Sequence, residues 1–147
     1  MTRETFISVC NRKEKLVRNE VGYSQQKMSE VLGLSKKTLV EIEKWRCSLG
    51  WQGAVTLCVL FAHTQEITLA FGEDIAAFLA SIGGEGMRAP FETPYAIWRT
   101  VLTQGDEEIE QNSASQLYRL RRSGKTILSS FTLSDLRERM QDQNKGV

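Results

Sequence analysis

Up to residue 82 the apolar positions of this chain recur with helical spacing; after residue 94 they alternate. In the stretch "SEVLGLSKKTLVEIEKWR", residues 29–46, a helical pattern stops at Gly33 and restarts at Ser35. This predicts two short helices, 24–33 and 35–44. A third, 11–22, is predicted to start at Asn11, with Glu14 three residues on as a capping box, and to end at Gly22. The preceding "FISVC" either extends this helix backward or forms a separate arm. "WQGAVTLCVLFAH" has apolar residues at 54, 55, 57, 58, 60 and 61, so it is expected to be nearly all buried, with Trp51, Leu57 and Leu60 in the core. "EDIAAFLASIGG" makes a fifth helix. Pro90, Pro94 and three glycines in "IGGEGMRAPFETP" place a linker at 83–94.

Beyond the linker, "AIWRTVL" and "EEIEQN" read as strands. "SQLYRLRR" and "KTILSSF" read as a hairpin joined by Ser123-Gly124. "TLSDLRERM" reads as a closing helix, with Thr132 and Asp135 as its capping box and Phe131 and Leu136 at the staple positions. A lone hairpin is marginal in water. Leu133, Leu136 and Met140 are expected to cover its apolar face, and Trp98, Tyr118 and Phe131 to fill the core. The predicted fold is α+β. A five-helix bundle with a helix-turn-helix occupies 1–82, and a small antiparallel β unit with a closing helix occupies 95–147.

The interruption at Gly33 has a physical reading. Glycine adopts the left-handed conformation that ends a helix abruptly. Ser35 caps the next helix, and Leu34 with Leu39 forms a staple around it. Ser29 is small enough for the second helix to cross closely. Met28, Leu32, Leu34, Leu39 and Ile42 form the shared core, which leaves Lys36, Lys37 and Thr38 in solvent. This is the helix-turn-helix order. An ordinary helical hairpin with a solvated lysine pair is the other reading of the same pattern.

Composition changes the picture in three ways. With 41% apolar residues among 147, the chain supports a core. No apolar run approaches the ~20 residues that cross a bilayer, and "MTRETFISVC" does not read as a signal peptide; the expected location is cytoplasmic. Residues 1–63 carry ten Lys+Arg against six Asp+Glu, and residues 64–147 nine against twelve. A basic front half suits a polyanion. Cys10, Cys47, Cys58 and the single His63 lack the spacing of a zinc site, so buried thiols and a surface histidine are expected, with no cofactor or metal.

"VRNEVGYSQQKMSEVLGLSKKTLVEIEKWR" resembles the helix-turn-helix of the phage-repressor-like (Cro/CI, or Xre) family of bacterial regulators. The resemblance rests on Arg18, Gly22, Ser24-Gln25, Leu32-Gly33, Ser35, Ile42-Glu43 and Arg46. One departure is Trp45, where the family carries glycine.

The resemblance implies sequence-specific binding of double-stranded operator DNA. Ser24 and Gln25 face the DNA backbone and donate to phosphate, Ser24 serving as an N-cap as well. Lys36, Lys37, Thr38 and Glu41 match the positions that reach base edges in the major groove; Lys37 and Glu41 also suit a pair within the helix. Lys44 and Arg46 match phosphate contacts, or else remain solvated. Arg18 and Glu43 are expected to pair and brace the domain.

Residues 95–147 suit dimerisation, since paired half-sites ask for a symmetric regulator, or sensing of a small-molecule or protein effector. The acidic "GDEEIEQN" is expected to be solvated surface. Arg119 and Arg121 are expected on one sheet face and Arg122 on the other, where they bind an anionic effector, a second stretch of DNA, or water. The expected function is a transcription regulator without catalysis. The rival is an antitoxin-like protein whose tail holds a protein partner.

Overall fold

A computed structural model of the protein describes residues 1–83 and 97–144, with side chains as far as Gln141. Apart from Gly83, the expected linker lies outside the described residues. The chain divides into two compact units, Met1–Phe91 and Glu92–Val147.

The first unit holds six described helices rather than the five expected: α1 Arg3–Glu20, α2 Gln25–Leu32, α3 Lys36–Glu43, α4 Gly50–Leu60, α5 Gln65–Phe71 and α6 Ile75–Gly83. The start of α1 corrects the sequence reading. Thr2, not Asn11, is its N-cap and accepts the Thr5 N–H at 3.2 Å. "FISVC" is therefore helix. Burial explains this, because Phe6, Cys10, Glu14 and Val17 form one buried stripe at spacings of four and three. Phe6 packs its ring against Trp51, Phe71 and Phe78, with centroids 5.6, 5.2 and 5.9 Å away.

Asn11 has another task. Its side-chain oxygen accepts the Leu49 N–H at 2.9 Å and its amide donates to Ser48 Oγ at 3.1 Å, which pins the loop after α3 to α1. The helix missed from the sequence, α5, is held from outside. The Glu20 carboxylate accepts the N–H groups of Gln65 and Glu66 at 2.7 and 3.1 Å, at the positive end of that helix.

α4 is less buried than its composition suggests. Ala54, Leu57 and Cys58 are in the core, but Val59 and Leu60 are exposed, so Leu60 is not a core residue. Cys10 and Cys58 are buried free thiols with sulfurs 3.6 Å apart, whereas Cys47 is exposed. The hydrogen bond between the first two, together with burial, pushes the Cys10 thiol well above the usual range, which makes Cys10 an inert core residue. Among the described residues no single helix is long and apolar enough to cross a membrane.

The second unit is a four-stranded antiparallel meander, β1 Trp98–Gln104, β2 Glu107–Asn112, β3 Tyr118–Arg122 and β4 Lys125–Ser130, followed by α7, Leu133–Asn144. The expected hairpin turn is present, with Ser123 and Gly124 both at positive φ (48° and 79°), as a two-residue turn between twisted strands requires. Ile109, Leu120, Leu136 and Met140 are its buried core, with Leu133 packed against them.

The acidic stretch is not solvated surface. Residues 107–112 form the strand between β1 and β3, and Glu107 and Glu110 are buried. Each is neutralised by an arginine from β3. Glu107 pairs with Arg122, and Glu110 pairs with Arg119 at 2.6 Å and Arg121 at 3.6 Å. Cross-strand pairing of Glu107 with Arg122 and of Glu110 with Arg119 puts these pairs on opposite faces, because facing alternates along a strand. Trp98 lies under the Arg119 guanidinium at 3.8 Å and Phe131 is exposed, so neither has the core role expected of it. Of the capping and staple residues proposed for α7, Asp135 pairs instead with Arg139 at 3.1 Å.

Candidate nucleic-acid interface

α1, α2 and α3 end in the same way. In each, the residue just beyond a left-handed position returns its N–H to a carbonyl five residues back. These bonds are Tyr23 to Arg18 (3.0 Å), Leu34 to Ser29 (2.8 Å) and Arg46 to Glu41 (2.9 Å). The motif needs a left-handed residue before the returning N–H. Gly22 (φ 71°) and Gly33 (φ 69°) supply it in the first two helices. In the third it is Trp45, at φ 62°. Trp45 therefore ends α3 in the same left-handed conformation that a glycine supplies at the ends of α1 and α2. A side chain in this conformation costs about 1–2 kcal/mol. The loop beyond is held by Asn11, as described above.

α2 and α3 are eight residues each and share a core. Met28, Leu32, Leu39 and Ile42 are buried, and Leu34 packs on them from the turn. Ser29 is buried, with its hydroxyl donating to the Gln26 carbonyl at 2.8 Å, so the small residue sits where the helices approach. Both starts are capped by serine. Ser24 Oγ accepts the Lys27 N–H at 3.1 Å, and Ser35 Oγ accepts the Thr38 N–H at 3.0 Å.

A polar network ties the pair to α1. Arg18 donates to both oxygens of Glu43, through Nε at 2.5 Å and Nη2 at 3.1 Å, and through Nη1 to the Tyr23 carbonyl at 3.0 Å. Gln25 adds a bond to Glu43 at 2.9 Å. Burial opposes the charge on Glu43, but these donors outweigh it and hold its pKa below the ordinary range. One fork thus joins the end of α1, the start of α2 and the end of α3. The expected Arg18–Glu43 brace is present.

Glu14, beside this network, is the residue that sequence reasoning misread. It is buried, and neither carboxylate oxygen has a hydrogen-bond partner among the described residues. Burial and then the charge of Glu43 raise its pKa to about 7, partly opposed by Arg18. Its position in the stripe Phe6–Cys10–Glu14–Val17 was the available signal.

The eight candidate residues fall into two groups. Lys36, Lys37 and Lys44 are exposed, and among the described residues none makes an ion pair. Arg46 is exposed and reaches Glu41 at 3.8 Å, so Glu41 pairs with Arg46 rather than Lys37; such exposed pairs contribute little. Ser24, Gln25 and Thr38 already serve the fold. Ser24 is an N-cap, Gln25 holds Glu43, and the Thr38 hydroxyl shares a hydrogen with Ser35 Oγ at 2.8 Å. Gln25→Ala therefore removes an internal bond as well as any phosphate contact.

His63 is exposed, and among the described residues no group of three or more His, Cys, Asp or Glu is placed to hold a metal. Comparison with family models, with curated proteins and with solved structures returned no match.

Proposed function

We propose that this chain is a sequence-specific DNA-binding transcription regulator of the phage-repressor-like (Xre) type, with α2 and α3 as its helix-turn-helix and α3 in the major groove. One observation carries the reading: α3 is a fixed helix with unneutralised cations outside. Its inner residues Leu39 and Ile42 are buried, both its ends are closed by hydrogen bonds, and Lys36, Lys37 and Lys44 project into solvent. A helix fixed in this way leaves only the lysine side chains to be ordered on binding, which favours recognition over mere attraction.

In this reading Lys36 and Lys37 donate to guanine O6 and N7, Thr38 offers its methyl group to thymine, and Glu41 orients Arg46 or accepts from cytosine. Lys44, Arg46, Ser24 and Gln25 hold phosphates. The second unit pairs two copies so that two half-sites are read together, or senses an effector.

Lys37→Ala is expected to narrow the gap between preferred and scrambled duplexes by about 10-fold or more. Lys44→Ala is expected to weaken both about equally and to lower the salt slope by about 0.9. Competition titrations at two salt concentrations check this. An equal loss on every duplex from Lys37→Ala removes it from base reading.

A further inference from the structure

Trp45 combines two costs at one position. It is a bulky residue in the left-handed conformation, and it is 67% exposed. The chain has three tryptophans. Trp51 packs on Phe6 beneath the Arg3 guanidinium, and Trp98 lies under Arg119. Among the described residues the Trp45 indole has no such ring, cation or hydrogen-bond partner, although its backbone N–H closes α3 on Ile42 at 3.0 Å. Fold stability alone favours glycine here, as at the ends of α1 and α2. Strain of this kind persists where the side chain serves something outside the fold.

The surroundings indicate what that is. Lys44 and Arg46 flank Trp45, both exposed, and Lys36 and Lys37 occupy the other end of the same helix. A cationic rim around an exposed aromatic suits a polyanion with apolar sugars. Eight residues of helix rise about 12 Å. If the first turn of α3 meets base edges, its last residue emerges at the groove wall, where one strand's sugars and phosphates lie.

We propose that Trp45 is a nucleic-acid contact whose indole packs on the sugar–phosphate wall of the duplex beside α3. The ring covers deoxyribose and the indole N–H donates to a phosphate oxygen. This inference rests on the DNA-binding reading above. It assigns Trp45 to affinity for any duplex, not to choice of sequence. The indole carries no charge, so its contribution does not release counterions.

The test uses the full chain with Trp45→Gly and Trp45→Asn, two residues at ease in the left-handed conformation. Both variants are expected to melt a few degrees higher than the parent, so weaker binding cannot come from unfolding. The probe is a labelled pool of random duplexes of about 20 base pairs, titrated by anisotropy at several low salt concentrations. Both variants are expected to bind about tenfold more weakly, with the salt slope unchanged; Lys44→Gln lowers the slope by about 0.9.

Parent binding that both variants match overturns the Trp45 contact and leaves the DNA reading standing. A parent that does not bind the pool even at the lowest salt overturns both. Variants that change the sedimentation of the free protein assign the indole to contact between copies and overturn the duplex contact.

Discussion

Replacing Glu14 with glutamine is expected to stabilise the first unit at pH 8 by on the order of 2–3 kcal/mol while changing little near pH 4.5. Glu14 is buried without a partner for its carboxylate, and its pKa in the fold is about 7. In the unfolded chain a glutamate titrates near its ordinary value of about 4.3. Between these values the folded state holds a proton that the unfolded state has released. Stability from this group is therefore full below about pH 4.5, falls as pH rises, and is gone above about pH 7.

Below its pKa the acid is neutral; above it, a buried charge without a hydrogen-bond partner adds to the repulsion from the Glu43 carboxylate. Glutamine keeps a donor and has no charge to bury. Urea melts at several pH values, followed by the helical circular-dichroism signal, check this. The parent is expected to lose stability from pH 5 to 7.5 and the variant to show a much flatter profile. Parallel profiles would mean that Glu14 reaches water and is not held neutral.

Arg18→Ala is expected to destabilise the first unit by about 3 kcal/mol at neutral pH. The Arg18 and Glu43 side chains are only 12% and 5% exposed. Removing the guanidinium leaves Glu43 buried with the Gln25 amide, and leaves the Tyr23 carbonyl without its donor. It also removes a charge that favours ionisation of both Glu43 and Glu14, so it sharpens the pH dependence just described. Arg18→Lys is expected to recover less than half of the loss, because an ammonium group cannot reproduce the fork to both Glu43 oxygens and the carbonyl. Denaturant melts of the three proteins check this. Full rescue by lysine would show that only the charge matters.

The parts of the fold that were legible in the sequence are those decided by neighbours in the chain. The Ser24 and Ser35 caps, the Gly33 ending and the Ser123-Gly124 turn depend on residues within a few positions. So does the alternation that puts Arg119 and Arg122 on opposite faces. The errors fall where a distant partner decides. Asn11 and Glu14 have the spacing of a capping box, yet the helix begins eight residues before Asn11, because Phe6 finds Trp51, Phe71 and Phe78 from α4, α5 and α6.

α5 went unseen because its start is held by Glu20, 45 residues upstream of Gln65. Four acids within five residues, 106–110, read as solvated until β3 supplied an arginine for each buried one. Of the candidate site, the exposed lysines and the Arg18–Glu43 brace were legible. The left-handed Trp45 was visible only as a departure, since whether a tryptophan accepts that conformation depends on the hydrogen bonds around it.

The central claim is that α3 reads DNA. Its most direct test is an anisotropy titration of the full chain against the DNA upstream of its own gene and a scrambled duplex of equal length, at two salt concentrations. The expected result is binding to the upstream DNA that is at least about 1,000-fold tighter than to the scrambled duplex, with a smaller salt dependence per unit of affinity. Failure to bind either duplex at low salt would contradict the claim and shift the exposed face of α3 to a protein partner.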